Sequence, residues 1–485
     1  MLPLLLVSPV AALACLWLGG SRATAVVLQS ACALTFALSL ALAGRILRGG
    51  PLEAAQGWLQ ADALSALVAC LASGLGLACA VYGAHYMAVV EAHERDAARW
   101  APGRYEALYL VLVGCMLLAT LSNNLGLLWI AIEGSTLASA LLVGYYRRAE
   151  AVEAGWKYLL LCSVGIALAL FATVLLYYSA VHAFGEGPAG LRWTTLRDAA
   201  TQLDPRFVKL AFLFAFVGYG AKAGLAPMHS WLPDAYSQAP TPVAALMSTA
   251  LLATSLTALL RFHAVTAACI GPEWPNGLFM VFGALSMIVA VPFMLVQGEF
   301  KRLLAYSSIE HTGFLVLAIG LGSPLATFGA LLHLVMQSLA KALAFLAGGT
   351  LGRANDSRSM DQWSGVLAAG PAMGVLFLGA GLGVGGLPPA GTFVSEWIAL
   401  TGGLAGAHRT FAVIALIALV AVFAGLVFHW SRMALGRARS GYADAMPAAS
   451  RLPLWVLLGL LVLFGLWLPS PVRTLVEQAA LVVRP

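Results

Sequence analysis

The sequence predicts an all-α integral membrane protein of about fourteen transmembrane helices, two of them broken part-way, and three observations carry that reading. Of its 485 residues 61% are hydrophobic and only 10% are charged. Apolar runs of about 20 residues, the length that crosses a bilayer, recur almost without interruption. Two of these runs are cut by glycine and proline beside an ionisable residue: G-Y-G-A-K-A-G-L-A-P-M-H-S-W-L-P-D-A-Y from Gly218 and G-V-G-G-L-P-P-A-G-T-F-V-S-E-W from Gly383. Proline has no N–H to donate and glycine accepts any backbone angle, so helix should stop inside the membrane and leave carbonyls unpaired. Irregular backbone at that depth survives only under a cover of protein or in a water-filled cavity.

In order, the spans fall near 3–19, 23–44, 62–86, 106–121, 124–146, 156–180, 207–236 (broken), 241–266, 275–297, 301–321, 324–350, 366–404 (broken), 410–431 and 453–469. Residues 1–20 have no basic residue ahead of Arg22, so they read as a first membrane helix and not as a cleaved signal. The segment 89–105 carries charges of both signs and is either a docking surface for a neighbouring subunit or a solvated loop. An even span count puts both termini on one side. The loops richer in Lys and Arg, among them those holding Arg147, Arg148, Arg353, Arg358 and Arg432, belong inside, which places both termini outside an inner (plasma) membrane. The net charge of +6 is therefore a matter of topology and does not suggest nucleic acid. Seven cysteines stand singly, without the C-x-x-C spacing of an iron–sulfur or zinc site, so no redox centre or metal is expected in this chain.

The breaks lie in spans 7 and 12, five spans apart. An odd offset makes corresponding helices antiparallel, so spans 4–8 and 9–13 fit two five-helix repeats of inverted topology. The expected division is an N-terminal three-helix segment (1–105), a first repeat (106–268), a second repeat (269–432), and span 14 with a tail (433–485).

Charges inside apolar spans are expensive, roughly 2.5–3.5 kcal/mol for a lysine at mid-helix, and so need a partner or a task. Lys222 stands at the first break. Glu133, in W-I-A-I-E-G-S-T-L-A-S of span 5 with Ser135, Thr136 and Ser139 beside it, is the expected counter-ion. At 4 Å and an effective dielectric of 20 such a pair is worth about 4 kcal/mol, so small changes of separation would load or unload a proton. A static pair fastening two helices is the alternative. In span 11, His333, Gln337 and Lys341 fall at i, i+4 and i+8 and share one helix face over about 12 Å, which suits a hydrated proton path or an interhelical hydrogen-bond seam. Lys341 is expected to pair with Glu396 beside the second break. Glu310 and His311 in span 10 are placed as possible relays or interfacial groups. His229 and Asp234 flank the first break as relays or caps, and Lys157 starts span 6 as a snorkelling residue or relay.

The stretch from Ala221 to Val243, with K-R-L-L-A-Y-S-S-I-E-H-T-G and H-L-V-M-Q-S-L-A-K-A-L-A-F-L, resembles the proton-translocating antiporter-like subunits of respiratory complex I. That family also includes the multi-subunit cation/proton antiporters and the membrane-bound hydrogenases. I-E-G-S-T-L-A-S-A-L-L-V-G-Y-Y and A-Y-S-S-I-E-H-T-G look most like the F-type subunit of hydrogenase-4 and formate hydrogenlyase-like complexes. The resemblance implies the fourteen-helix core with its inverted repeats, Glu133 and Lys222 as a first functional pair, Lys341 as a central lysine and Glu396 as the terminal residue of span 12. It further implies other membrane subunits and a peripheral redox arm, whose nickel–iron and iron–sulfur centres would carry the electrons. Members of the family often place a lysine or histidine in span 8. Here L-M-S-T-A-L-L-A-T-S-L-T-A-L-L offers only Ser248, Thr249 and Thr254, so water or His333 would bridge. The expected function is thus a proton-translocating subunit of a redox complex, not catalytic alone. The rivals are a sodium/proton antiporter subunit and a membrane scaffold that pumps nothing.

Overall fold

The computed structural model describes residues 1–19, 21–93, 103–437 and 448–484, and helix dominates it. Most of the 89–105 segment singled out above lies outside these residues. Helix stands at every expected span. Ten helices among the described residues are long and apolar enough to cross a membrane, while Leu2–Leu18 and Pro371–Val384 are apolar but shorter. The last pair, Ser450–Leu466 and Ser470–Val483, meets the criterion only jointly and is bent by 77°.

Helix ends follow from local chemistry. Span 5 (Leu125–Val143) starts at Asn124, whose side chain accepts from the Leu127 amide at 3.0 Å. The first part of span 7 (Pro205–Lys222) starts at Asp204, which accepts from the Arg206 amide at 2.8 Å ahead of a proline at the first helical position. Both predicted breaks are present and built alike. In the first, Gly224 takes a φ of 78°, its amide bonds the Ala221 carbonyl, and the Leu225 amide bonds the Gly220 carbonyl. In the second, Gly386 takes a φ of 63°, with Gly386 bonded to Gly383 and Leu387 to Leu382. Two such bonds around a left-handed glycine satisfy the last carbonyls of a helix. The sequences G-L-A-P and G-L-P-P thus end two membrane helices with one turn design, and helix resumes at Leu232–Gln238 and Gly391–Leu404.

Burial sorts the spans. Spans 8 (Thr241–Ile270), 10 (Phe300–Gly320) and 11 (Pro324–Ala354) are 100%, 94% and 100% buried over their apolar windows, whereas spans 2 and 13 are each 33% buried. The first set forms the protein interior and the second lies at its periphery. Spans 9 (Glu273–Leu295) and 10 meet backbone to backbone: a Cβ at Gly283 would stand 2.6 Å from the Gly313 carbonyl oxygen, and one at Gly313 would stand 2.7 Å from that of Gly283. Small residues give such close approach in membranes, where dispersion contacts replace the hydrophobic drive.

Four features depart from a plain helical reading. Span 8 contains a π turn at Met247–Leu251. An antiparallel hairpin, Leu52–Ala54 with Leu59–Ala61, precedes span 3 (Ala63–His93). A short helix, Trp193–Asp198, lies between spans 6 and 7. The expected tail is a helix, Ser470–Val483, with Leu475, Val476, Ala479, Ala480 and Val483 buried. Two of these places are joined by a buried ion pair: Arg261, near the end of span 8, donates to both oxygens of Asp62 at 2.6 and 2.9 Å and lies 4.0 Å from the centre of the Trp193 ring.

Candidate functional site

Lys222 is the last residue of the helix that the first break ends, and it is fully buried. Its position is favourable for a cation, because unpaired carbonyls give a helix C-terminus partial negative charge. Trp231, beyond the break, is a second donor to the Ala221 carbonyl, which it meets with its Nε1 at 2.9 Å. The Lys222 ammonium donates to Thr136 Oγ1 at 3.0 Å and to the Tyr158 hydroxyl, and it lies 4.6 Å from the centre of the Tyr158 ring. Tyr158 in turn shares a 2.7 Å hydrogen bond with Ser139, and its ring packs at 4.6 Å on Trp231.

Glu133 is not the contact partner of Lys222. Among the described residues no ion pair joins them; one Glu133 oxygen accepts from Ser163 of span 6 (Ala149–Phe184) at 2.7 Å and the other is buried without a partner. The reason is axial position. Helix ends at Lys222 about one turn along span 5 from Glu133, at the level of Thr136 and Ser139, and the span 6 side chain at that level is Tyr158. The carboxylate and the ammonium therefore flank a set of hydroxyls.

The second cluster belongs to spans 10, 11 and 12. His333 is its hub: Nε2 meets His311 Nδ1 at 3.1 Å and Nδ1 meets Ser395 Oγ at 3.0 Å. Glu396 Oε1 stands 4.0 Å from His333 Nδ1, and Glu310 Oε2 stands 3.4 Å from His311 Nδ1. Glu310 is wholly buried and neither of its oxygens has a hydrogen-bond partner. Gly386 of the second break is required here, since a Cβ at that position would run into the Glu396 carboxylate.

Lys341 does not pair with Glu396. Its ammonium, fully buried, donates to the Leu304 carbonyl of span 10 at 2.9 Å, an oxygen that also accepts from Ser308 at 3.0 Å. Lys341 sits about two turns along span 11 from His333, and Glu396 is level with the histidine. Gln337 lies off the hub, its amide donating to Ser338 of its own helix at 3.3 Å.

The other candidates divide. Lys157 and Asp234 join a partly exposed charge network, Lys157 to Glu153 at 2.6 Å and to Asp234 at 3.6 Å, and Arg302 to Asp234 at 2.6 Å. His229 lies in the first break with its Nδ1 buried and unpartnered. Ser248 and Thr249 are buried in the π turn, but their hydroxyls turn back to the Ala245 carbonyl at 2.9 and 2.8 Å. Among the described residues no direct bond leads from them to either lysine.

Among the described residues the arrangement is thus two buried lysines bonded only to neutral oxygens, each beside a chain of hydroxyl, imidazole or carboxyl groups. Residues 122–422, which contain every one of these side chains, match the family described as NADH:quinone oxidoreductase/Mrp antiporter, TM. The chain belongs to this antiporter family. It is similar to the hydrogenase-4 component F homolog of Methylacidiphilum infernorum (isolate V4), with 36% identity over 415 residues that cover 85% of this chain and 86% of the relative. Among solved structures it resembles a chain of respiratory complex I from Thermus thermophilus, with a TM-score of 0.75 and 26% identity over 96% of this chain and 97% of the other. The fold alone is shared with a chain of an archaeal membrane-bound sulfane sulfur reductase, with a TM-score of 0.87 and 21% identity over 99% of this chain and 96% of that one. The protein is accordingly a multi-pass membrane protein of the antiporter family.

Tyr158, Ser163 and Ser395 are the site residues that sequence reasoning missed in this family member. Ser395 stands next to Glu396 and Tyr158 next to Lys157, so proximity to a charge was the available signal, but a lone hydroxyl in an apolar span carries no pattern of its own.

Proposed function

We propose that this chain is a proton-translocating membrane subunit of a multi-subunit redox complex of the hydrogenase-4 or complex I-like kind. The observation that carries the reading is the state of the two lysines. Each is buried and held by neutral oxygens, Lys222 by Thr136 and Tyr158 and Lys341 by Leu304, so neither charge is locked by a carboxylate. A buried amine without a fixed counter-ion can alternate between charged and neutral at low cost to the structure, which a static ion pair cannot. Around Lys222 the carriers are Tyr158, Thr136 and Ser139, with Glu133 as the acid beyond them. Around Lys341 they are Glu310, His311, His333 and, at the second break, Glu396. Water completes the route between the halves past Ser248 and Thr249, with His229 and the Lys157–Asp234 network at its mouth.

Fourteen crossings, both termini outside an inner (plasma) membrane, and two inverted repeats (106–268 and 269–432) between the N-terminal segment (1–105) and span 14 with its tail (433–485) belong to the same proposal, and the duplicated G-L-x-P turn supports the repeats. Electrons would move in partner subunits bearing nickel–iron and iron–sulfur centres, and this chain would supply the coupled proton route. The relatives' names support the kind of complex: a hydrogenase-4 component and complex I.

The test is proton uptake by vesicles containing the assembled complex. Lys222→Met keeps the volume and removes the titratable group, so uptake should cease while assembly persists. Undiminished uptake in an assembled Lys222→Met complex overturns the proposal.

A further inference from the structure

Three helices converge on the cluster around His333. One ligand-type atom from each of His311, His333 and Glu396 lies within 4.8 Å of the other two, and all three residues are buried. The imidazole nitrogens that face each other, His311 Nδ1 and His333 Nε2, are 3.1 Å apart. Around a tetrahedral zinc with bonds of about 2.0–2.1 Å, neighbouring ligand atoms stand roughly 3.3 Å apart. The two imidazoles are thus already at ligand spacing, while the Glu396 carboxylate, 4.0 Å from the other ring nitrogen of His333, must turn toward Nε2 and close by up to about 1.5 Å.

Two independent observations point the same way. The far nitrogen of His333 bonds Ser395 Oγ at 3.0 Å, and Ser395 donates onward to the Thr392 carbonyl at 2.7 Å. A ring nitrogen anchored in this manner holds the tautomer that leaves the other nitrogen free to ligate. Glu310, wholly buried with both oxygens unpartnered, reaches within 3.4 Å of His311 Nδ1 and becomes a fourth ligand by swinging toward the other three.

We propose that His311, His333 and Glu396, with Glu310, form a binding site for a divalent metal ion of the zinc type. Two imidazoles and carboxylate oxygens are borderline-to-hard donors that suit Zn²⁺ and exclude the thiolate-seeking ions. The ion takes a lone pair from Nδ1 of His311 and one from Nε2 of His333. The proton shared between these nitrogens moves to Nε2 of His311, while His333 keeps its own on Nδ1 toward Ser395. Each carboxyl that ligates gives up its proton to solvent if it held one. Glu396, the one of the four whose side chain is as much as 11% exposed, is the point of entry. The site uses residues of the proposed proton route, yet it stands on ligand geometry and not on that proposal.

The experiment measures metal first and transport second. Purified complex, stripped of loosely bound metal, is titrated with Zn²⁺ against a chromophoric competing chelator. The parent should take up one more zinc per copy of this chain than a complex carrying His311→Gln with His333→Gln. Ser395→Ala, which removes the anchor and no ligand, should weaken that site by about 10- to 100-fold. In vesicles, micromolar zinc should arrest proton uptake, and Ser395→Ala should need correspondingly more. Equal zinc uptake at equal affinity by parent and double variant overturns the site. If the parent binds the extra zinc but never moves protons, the transport proposal fails and the metal site stands.

Discussion

Replacing Tyr158 with Phe tests the first lysine with a single atom. The ring remains against Trp231 and beneath the Lys222 ammonium, so packing is kept, and only the hydroxyl that bonds Lys222 and Ser139 is lost. A hydrogen bond to a charged group contributes about 1.5–3 kcal/mol. Thr136 still accepts at 3.0 Å, so the ammonium is weakened and not orphaned. At 1.36 kcal/mol per tenfold change, the protonated population of Lys222 falls by about 10- to 150-fold relative to the neutral one. If protons pass through that residue, uptake by vesicles containing the complex should fall by the same order in Tyr158→Phe, whereas Thr136→Val, which leaves the hydroxyl of Tyr158 in place, should cost less. The assay is the initial rate of proton uptake under redox turnover, normalised to assembled complex. Uptake within twofold of the parent, in a variant shown to be assembled, would refute the idea that this hydroxyl holds the working charge.

Three further outcomes are expected. Gly386→Ala forces a left-handed backbone at about 1–2 kcal/mol and drives a methyl into the Glu396 carboxylate, so proton uptake should drop sharply with only a modest loss of thermal stability; a full loss of folding in a melting assay would show a structural role instead. Arg261→Met removes one half of the buried pair with Asp62 and should destabilise the protein by about 3–5 kcal/mol, seen as a large fall in melting temperature that Asp62→Leu in the same chain partly restores. Glu310→Gln keeps shape and burial but cannot ionise, and should slow proton uptake more than Gln337→Glu changes it, measured in the same vesicles, because Glu310 stands 3.4 Å from the His311 imidazole whereas the Gln337 amide donates to Ser338 of its own helix.

Much of this was legible from residue order. Glycine and proline close together beside Lys222 and Glu396 announced both breaks, because the glycine accepts the left-handed turn that ends a helix and the proline after it has no N–H with which to resume the ladder. The periodicity of His333 and Lys341 put both on one helix face, and the structure gives that face contacts on span 10, with His311 and with the Leu304 carbonyl. What periodicity cannot tell is which neighbour a side chain meets and at what depth, and neither expected acid–base pair is in direct contact: Glu133 bonds Ser163, and Glu396 meets the histidine. The C-terminal helix was missed for another reason. Its buried positions, Leu475, Val476, Ala479, Ala480 and Val483, repeat at helical spacing, but Glu477 and Gln478 interrupt them and no unbroken apolar run results. The hairpin near Gly57 depends on distant chain, since Asn123 donates to the Gly57 carbonyl at 2.9 Å, and ten local residues do not reveal it.

The π turn of span 8 has a mechanical consequence. Thr241 ties the near end of this helix to Tyr86 of span 3, and Arg261 ties the far end to Asp62, so the residue accommodated at Met247–Leu251 behaves like slack in a rope knotted at both ends. It cannot leave through either knot. Tightening the turn to plain helix by deleting one residue would swing one half of the span against the other by about 100°, and one of the two knots would have to open.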